Sequence, residues 1–392
     1  MKALRNYLDK IKPHFQEGGK LHAFHSLFDG FETFIFVPDT TSTSGAHIHD
    51  SADSKRLMSF VVISLIPALL FGMYNVGYQH YIHAVGELGT FWEMFGYGFL
   101  AVLPKIVVSY GVGLGIEFII AQWKKEEIQE GFLVSGILIP MIVPVDCPLW
   151  MLALATGFAV IFAKEIFGGT GMNIFNVALV TRAFLFFAYP TKMSGDSVWV
   201  SSESIFGLGK TVDGLTVATP LGIASTGTAD QVPAFTMDMV TGLIPGSIAE
   251  TSVIAILIGA VILLITGIAS WKIMFSVFVG GAFMGIVFNQ FGPDTAMAHM
   301  PWYEHLALGG FCFGAVFMAT DPVTSARTET GKYIFGFLIG IMAIVIRVLN
   351  PGYPEGMMLA ILLMNIFAPL IDYYVVQSNI SARVKRAINS NN

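Results

Sequence analysis

Leu57-Met-Ser-Phe-Val-Val-Ile-Ser-Leu-Ile-Pro-Ala-Leu-Leu-Phe-Gly-Met-Tyr-Asn-Val-Gly77 carries no charge over 21 residues, and Lys55-Arg56 stands directly before it. A helix needs about 20 apolar residues to cross the hydrocarbon core of a bilayer, so this run is long enough to span. The basic pair marks a cytoplasmic flank, because Lys and Arg concentrate on that side of membrane proteins. The same ruler finds further runs at Leu100–Trp123, Phe132–Val145, Leu149–Ala163, Ile174–Tyr189, Ser252–Ser270, Ile273–Phe291, His305–Thr320, Tyr333–Leu349 and Met357–Tyr374. That makes ten spans, several of them short. The apolar run Thr90–Leu103 is either an interfacial helix or an eleventh span.

Composition points the same way. The 392 residues are 54% hydrophobic and 12% charged, with a mean hydropathy of +0.68, whereas soluble domains are about 25% charged. A soluble globular enzyme is thereby excluded. Two cysteines, Cys147 and Cys312, are too few for a disulfide framework and lack the spacing of a zinc or iron–sulfur site. The first 56 residues are polar and mixed in charge, which predicts an uncleaved cytoplasmic arm. Within it, His47, His49 and Asp50 are weak evidence for a metal site, since no further ligands accompany them.

Orientation is an independent check on the span count. With the N-terminus inside, the inner loops hold Lys124-Lys125, Lys164, Lys272, Arg327, Lys332 and the tail Arg383, Lys385 and Arg386, whereas the outer loops hold only Lys192 and Lys210. The expected organisation is a cytoplasmic arm (1–56), a five-helix membrane half (57–189), an external loop (190–249), a second five-helix half (250–376) and a basic cytoplasmic tail (377–392). Five spans per half force any internal repeat to be inverted, which places sites near the bilayer midplane. The fold class is therefore all-α and polytopic, with about ten transmembrane helices in two inverted five-helix repeats. Pro144 and Pro322 each end a short apolar segment, and proline at membrane depth predicts broken helices facing protein or a cavity.

Two polar stretches carry the chemistry. The first is Val212-Asp213-Gly214-Leu215-Thr216-Val217-Ala218-Thr219-Pro220, in the external loop. A threonine hydroxyl is a poor nucleophile without an activating partner, so the loop reads as a substrate for modification or as a plain polar turn. The second is Lys164-Glu-Ile-Phe-Gly-Gly-Thr-Gly171, followed by Asn173, Asn176 and Arg182. Gly169 and Gly171 permit close backbone approach, and a helix starting near Asn173 points free amides at whatever lies there. Tight packing by small residues is the alternative. No strand precedes these glycines, so they are no nucleotide fingerprint. Arg182, well inside a span, costs at least about 2.5 kcal/mol unless paired, and should face the interior. Phe184, Phe186, Phe187 and Tyr189 face lipid, fill the core or offer flat surfaces to a ring.

Asp213-x-x-Thr216-x-Ala218-Thr219 is similar to the flavinylation motif, on which a dedicated transferase leaves FMN joined by a phosphoester to the last threonine. It departs from that pattern in having Val217 where glycine is usual. Four further stretches are longer: Lys-Glu-Ile-Phe-Gly-Gly-Thr-Gly at 164–171, Arg-Ala-Phe-Leu-Phe-Phe-Ala-Tyr-Pro at 182–190, Met-Ala-Thr-Asp-Pro-Val at 318–323 and Tyr-Pro-Glu-Gly-Met-Met-Leu-Ala-Ile-Leu at 353–362. Together with Glu-Gly-Gly-Lys at 17–20, they resemble the B-subunit family of the sodium-translocating NADH:quinone oxidoreductases over essentially the whole chain. Val177 departs again, where that family has proline.

The resemblance implies membership of a six-subunit NADH:quinone reductase complex in the bacterial inner membrane, with both termini cytoplasmic. It implies covalent FMN at Thr219, installed by a flavin transferase, together with noncovalent riboflavin, quinone as substrate and sodium as the translocated ion. The chain has no NADH site of its own, and no nucleic-acid partner is expected. Sodium would use buried acids: Glu117, Asp321 and Asp372 are the candidates. Each has another reading, with Glu117 paired to Lys124 or Lys125, Asp321 capping a helix or paired to Arg327, and Asp372 at the interface. Gly111, Gly113 and Glu117, with Tyr110 and Gly115, mark a thin helix face for quinone. The competing readings are the D subunit of the Rnf ferredoxin:NAD oxidoreductase, a flavin-free channel or transporter with an inverted repeat, and a purely structural anchor.

Overall fold

The computed structural model describes residues 2–15, 54–124 and 131–390, with isolated positions at 19, 28, 32, 35–36 and 44–46. His47, His49, Asp50, Glu17, Lys20 and Lys125 lie outside these. Among the described residues the regular elements are all helical, apart from one isolated bridge between Ile205 and Leu208. The main helices are α1 (Lys2–Ile11), α2 (Ser54–His80), α3 (Phe91–Lys124), α4 (Phe132–Met141), α5 (Leu149–Ala159), α6 (Val177–Ala188), α7 (Pro220–Thr226), α8 (Val253–Ile265), α9 (Trp271–Phe291), α10 (Trp302–Ala307), α11 (Glu329–Leu349) and α12 (Met357–Ser390).

Among the described residues, six helical stretches are long and apolar enough to cross a membrane: Arg56–Val85, Phe91–Lys124, Leu149–Phe167, Trp271–Phe291, Glu329–Leu349 and Met357–Asn389. α4, α6 and α8 are shorter apolar helices of 10, 12 and 13 residues. The chain is a multi-pass membrane protein. Thr90–Leu103, expected as a separate element, is the first part of the continuous 34-residue α3. Pro104 does not stop that helix, because a transmembrane helix tolerates proline where neighbours satisfy the freed carbonyl.

The short helices mark breaks, and long-range partners satisfy each break. A ten-residue helix rises only about 15 Å, half a bilayer core. After α4 the chain turns through 142–148 with Pro144 and Pro148, and its backbone is met by the far end of the 190–249 loop. The Ala249 amide donates to the Met141 carbonyl at 2.9 Å and the Ile248 amide to the Val143 carbonyl at 3.3 Å. The second break corrects an expectation. His305–Thr320, read as one span, is interrupted between α10 and a helical turn at 311–318. Gly309 and Gly310 there adopt φ of +63° and +66°, left-handed conformations that favour glycine.

Small residues set the packing of the second half. A Cβ on Gly280 of α9 would lie 2.2 Å from the Phe337 carbonyl oxygen, and one on Gly340 of α11 would lie 2.2 Å from that of Val277. The two helices therefore touch backbone to backbone, as small residues allow in membranes. Residues of the 190–249 loop are tied to the first two long helices. The Nδ1 of His80 lies 2.7 Å from the Ser201 carbonyl, and the Lys210 amide donates to its Nε2 at 3.0 Å. The Tyr97 ring stacks on His80 at 4.1 Å, and its hydroxyl donates to Ser201 and Glu203. These contacts fix one end of α2 beneath the loop.

Candidate functional site

A cavity of about 320 Å³ opens beside Thr219, among Phe186, Trp199, Glu250, Tyr353 and Glu355. Thr219 is the N-cap of α7, its Oγ1 accepting from the Gly222 amide at 2.9 Å, with Pro220 supplying the preset first turn. Among the hydrogen bonds of the described residues, the Thr219 hydroxyl acts as acceptor and its proton has no acceptor. The Val217 amide donates a hydrogen bond to the Asp196 carbonyl at 2.6 Å. Of the motif residues Asp213, Thr216, Ala218 and Thr219, Thr219 alone lines the cavity; Asp213 and Thr216 are exposed and Ala218 is partly covered.

Behind this cavity lies a buried charge cluster. Arg182, 2% exposed in α6, donates Nη1 to Glu250 Oε2 at 2.9 Å and pairs through Nη2 with Glu355. The same Nη1 also reaches the Ile142 carbonyl at the end of the α4 break. The expectation that Arg182 faces inward is met, and its partners come from three separate segments. Arg347, fully buried in α11, uses its guanidinium differently. It donates to the carbonyls of His305 at 2.6 Å, Leu308 at 3.1 Å and Glu355 at 3.0 Å. It thus closes the end of α10, whose last carbonyls have no partner within the helix.

At the other end of α2, a second cavity of about 340 Å³ is lined by Leu57, Lys164, Thr170, Asn173, Asn176 and Asp321, among others. Val177 lines this cavity and Phe186 the first, nine residues apart on α6, so the two cavities are separated by roughly 14 Å along that helix. α6 starts at Val177, with Asn176 as N-cap, three residues later than the sequence suggested. The Asn176 Oδ1 accepts from the amides of Ala178 and Leu179, and its Nδ2 donates to Asp321 Oδ2 at 3.0 Å. Asn173 donates to the Phe175 carbonyl. Gly169 and Gly171 take φ of +89° and +90°, which gives the 168–172 turn its course without placing either glycine on the cavity wall. The Thr170 Oγ1 is buried there with no partner among the described residues.

The three candidate acids do not meet. Glu117 pairs with Lys164, both buried, in place of Lys124 or Lys125; Lys124 turns to Glu165 at 3.7 Å. Asp321 caps its own turn, accepting from the Val323 amide at 3.0 Å as well as from Asn176, and has no ion pair with Arg327 among its contacts. Asp372 accepts from the amides of Arg327 and Thr328 and from the Thr328 hydroxyl, which anchors the start of α11. Among the described residues no three His, Cys, Asp or Glu side chains gather into a metal site. Of the quinone candidates, Gly113 and Glu117 share an inner face, and a Cβ at Gly113 would strike the Phe132 ring at 1.9 Å. Gly111 lies on the exposed side of α3.

Sequence reasoning missed Glu250, Glu355, Arg347 and Lys105. Arg347 and Lys105 were findable, since each interrupts an apolar run and a charge inside a span calls for a partner. Lys105 is 6% exposed and donates only to the Ala101 carbonyl among the bonds described. Nothing local marks Glu250, which sits in a loop among small polar residues.

The chain matches the NQR2, RnfD, RnfE family over residues 41–381. It is 46% identical to the B subunit of the Na(+)-translocating NADH-quinone reductase of Chromohalobacter salexigens, over 98% of this chain and 96% of that protein. It is 44% identical to the B subunit of the same enzyme from Pseudomonas aeruginosa and 43% to that from Azotobacter vinelandii, over 98% of this chain and 99% and 100% of theirs. Matched by the family model over residues 41–381 and by these relatives over 98% of its length, the chain belongs to the NQR2, RnfD, RnfE family, among the B subunits of the Na(+)-translocating NADH-quinone reductase.

Proposed function

We propose that this chain is the membrane electron conduit of a sodium-pumping NADH:quinone reductase, carrying FMN as a phosphoester on Thr219. The observation that carries the reading is the position of the Thr219 hydroxyl, with its proton uncommitted, at the wall of a cavity lined by Phe186, Trp199 and Tyr353. Flat aromatic walls and a buried acceptor oxygen suit an isoalloxazine ring. The second cavity suits riboflavin. Asn173, Asn176 and the unpartnered Thr170 hydroxyl offer donors and acceptors to a neutral polar ligand, and Gly169 and Gly171 shape the turn beside it. Bound at these places, flavins would supply one- and two-electron transfer, while the chain's residues bind, orient and exclude water.

Five crossing segments on each side of residues 190–249, in inverted repeat, are the arrangement we propose. The support is that the third segment is short in both halves, ending at Met141 in the first and broken between Ala307 and Phe311 in the second. Both termini would then face the cytoplasm and Thr219 the outside, where the flavin transferase would act. Glu117, Asp321 and Asp372 are proposed to serve sodium movement, and Gly111, Gly113 and Glu117 to neighbour the quinone. A flavin bound here would supply a change of charge in a low-dielectric region, and a nearby acid such as Glu117 would hold a cation more or less tightly according to that charge. The other subunits of the complex would supply the NADH site.

The test is in-gel ultraviolet fluorescence of the denatured chain, co-expressed with its transferase, for wild type and Thr219→Ala. A fluorescent wild-type band that vanishes in the variant supports the reading. A dark wild-type band, with a transferase proven on another substrate, sinks it and brings the flavin-free channel forward.

A further inference from the structure

Glu250 is 7% exposed and lines the cavity that contains Thr219. One of its oxygens is taken: Oε2 accepts from Arg182 at 2.9 Å. The other, Oε1, is buried with no hydrogen-bond partner among the described residues. It lies against Gly310, where an added Cβ would come within 3.0 Å of the carboxylate and where φ is already +66°. A side chain at position 310 would thus collide with this oxygen. A buried acceptor left open is costly, and native proteins leave few of them without a purpose.

We infer that Glu250 is a positioning residue for the flavin on Thr219, its free oxygen accepting a hydrogen bond from a donor of that group and its charge setting the flavin's reduction potential. This rests on the flavinylation of Thr219. Oxidised isoalloxazine carries one ring N–H, and the ribityl chain carries hydroxyls, so the donor is available without any change of protonation. Reduction adds an electron to the ring with no bond made to the protein. A carboxylate beside the ring would oppose that added charge, and the Arg182 cation paired with it would offset part of the opposition. The low dielectric of a buried wall strengthens both effects.

The experiment is a redox titration of the purified complex, following the flavin component that is absent from Thr219→Ala. Glu250→Gln keeps the size and an acceptor oxygen but removes the charge. It is expected to make reduction easier by about tenfold in the one-electron equilibrium, about 59 mV, with covalent fluorescence unchanged. Glu250→Asp keeps the ion pair and withdraws the oxygen by one methylene, so a smaller shift of the same sign is expected; it carries the test if the glutamine variant does not assemble. A fluorescent band with an unshifted potential in the assembled variants overturns the inference alone. A dark wild-type band overturns the Thr219 reading and this inference with it.

Discussion

The cavity beside Thr219 and the cavity beside Asn176 lie at opposite ends of the same helices and are walled by different chemistry. The first is backed by Arg182 with two carboxylates, one of which leaves an oxygen open. The second has its charges closed off: Lys164 on its wall is paired with Glu117, and Asp321 is bonded by Asn176 and by the Val323 amide. Its open group is a neutral hydroxyl, that of Thr170. A site with spare charge can influence the energy of an electron placed beside it, whereas a site with spare neutral groups can hold a ligand without adding a field. The same contrast separates the two buried arginines, since Arg182 organises carboxylates and Arg347 organises backbone carbonyls.

The comparison is broken most severely at Arg182. Arg182→Met leaves the buried Glu250 and the half-buried Glu355 without their cation, and removing one partner of a buried ion pair costs about 3–5 kcal/mol. The expected outcome is a large fall in the melting temperature of the complex or in the yield of assembled protein. A variant as stable as wild type would mean that the cluster is not the structural knot described here.

The inner pair is the matching test, of smaller effect. Glu117→Gln strands Lys164 and Lys164→Met strands Glu117, and each is expected to destabilise by about 3 kcal/mol. The double variant should recover a large part of that loss, because no lone charge remains buried. Thermal unfolding of all four proteins measures the coupling. In the assembled Glu117→Gln complex, sodium-stimulated turnover is expected to fall while flavin content holds; unchanged sodium dependence would remove Glu117 from the ion path.

The smallest effect sharpens the comparison most. Asn176→Ala removes the N-cap of α6, worth about 1 kcal/mol, and one hydrogen bond to Asp321. Noncovalent flavin recovered by extraction should drop, whereas fluorescence at Thr219 should stay at the wild-type level. Loss of both flavins together would show that the two cavities do not act separately.

Much of this is legible in the chain itself. Apolar runs predict the membrane helices, because a helix in lipid must satisfy its own backbone and be apolar along its length. Arg182 reads as inward-facing for the cost of leaving it in lipid. Thr219 and the Gly169–Asn176 turn are legible as local motifs. Continuity is what fails: Thr90–Leu103 joins α3, and His305–Thr320 breaks at two left-handed glycines that an apolar window does not register.

The amino-acid sequence alone determined the class of protein, the places where helices run and the threonine whose chemistry matters, since composition and short motifs act over neighbouring residues. Only the tertiary structure decided the partners of the charges. Arg182 meets Glu250 across 68 residues and Glu355 across 173, and Glu117 finds Lys164 across 47. For Glu117 a nearer partner stood ready in the sequence, and for Arg182 none was marked at all. The choice belongs to the packing, because a buried charge binds whichever opposite group the folded helices bring within reach.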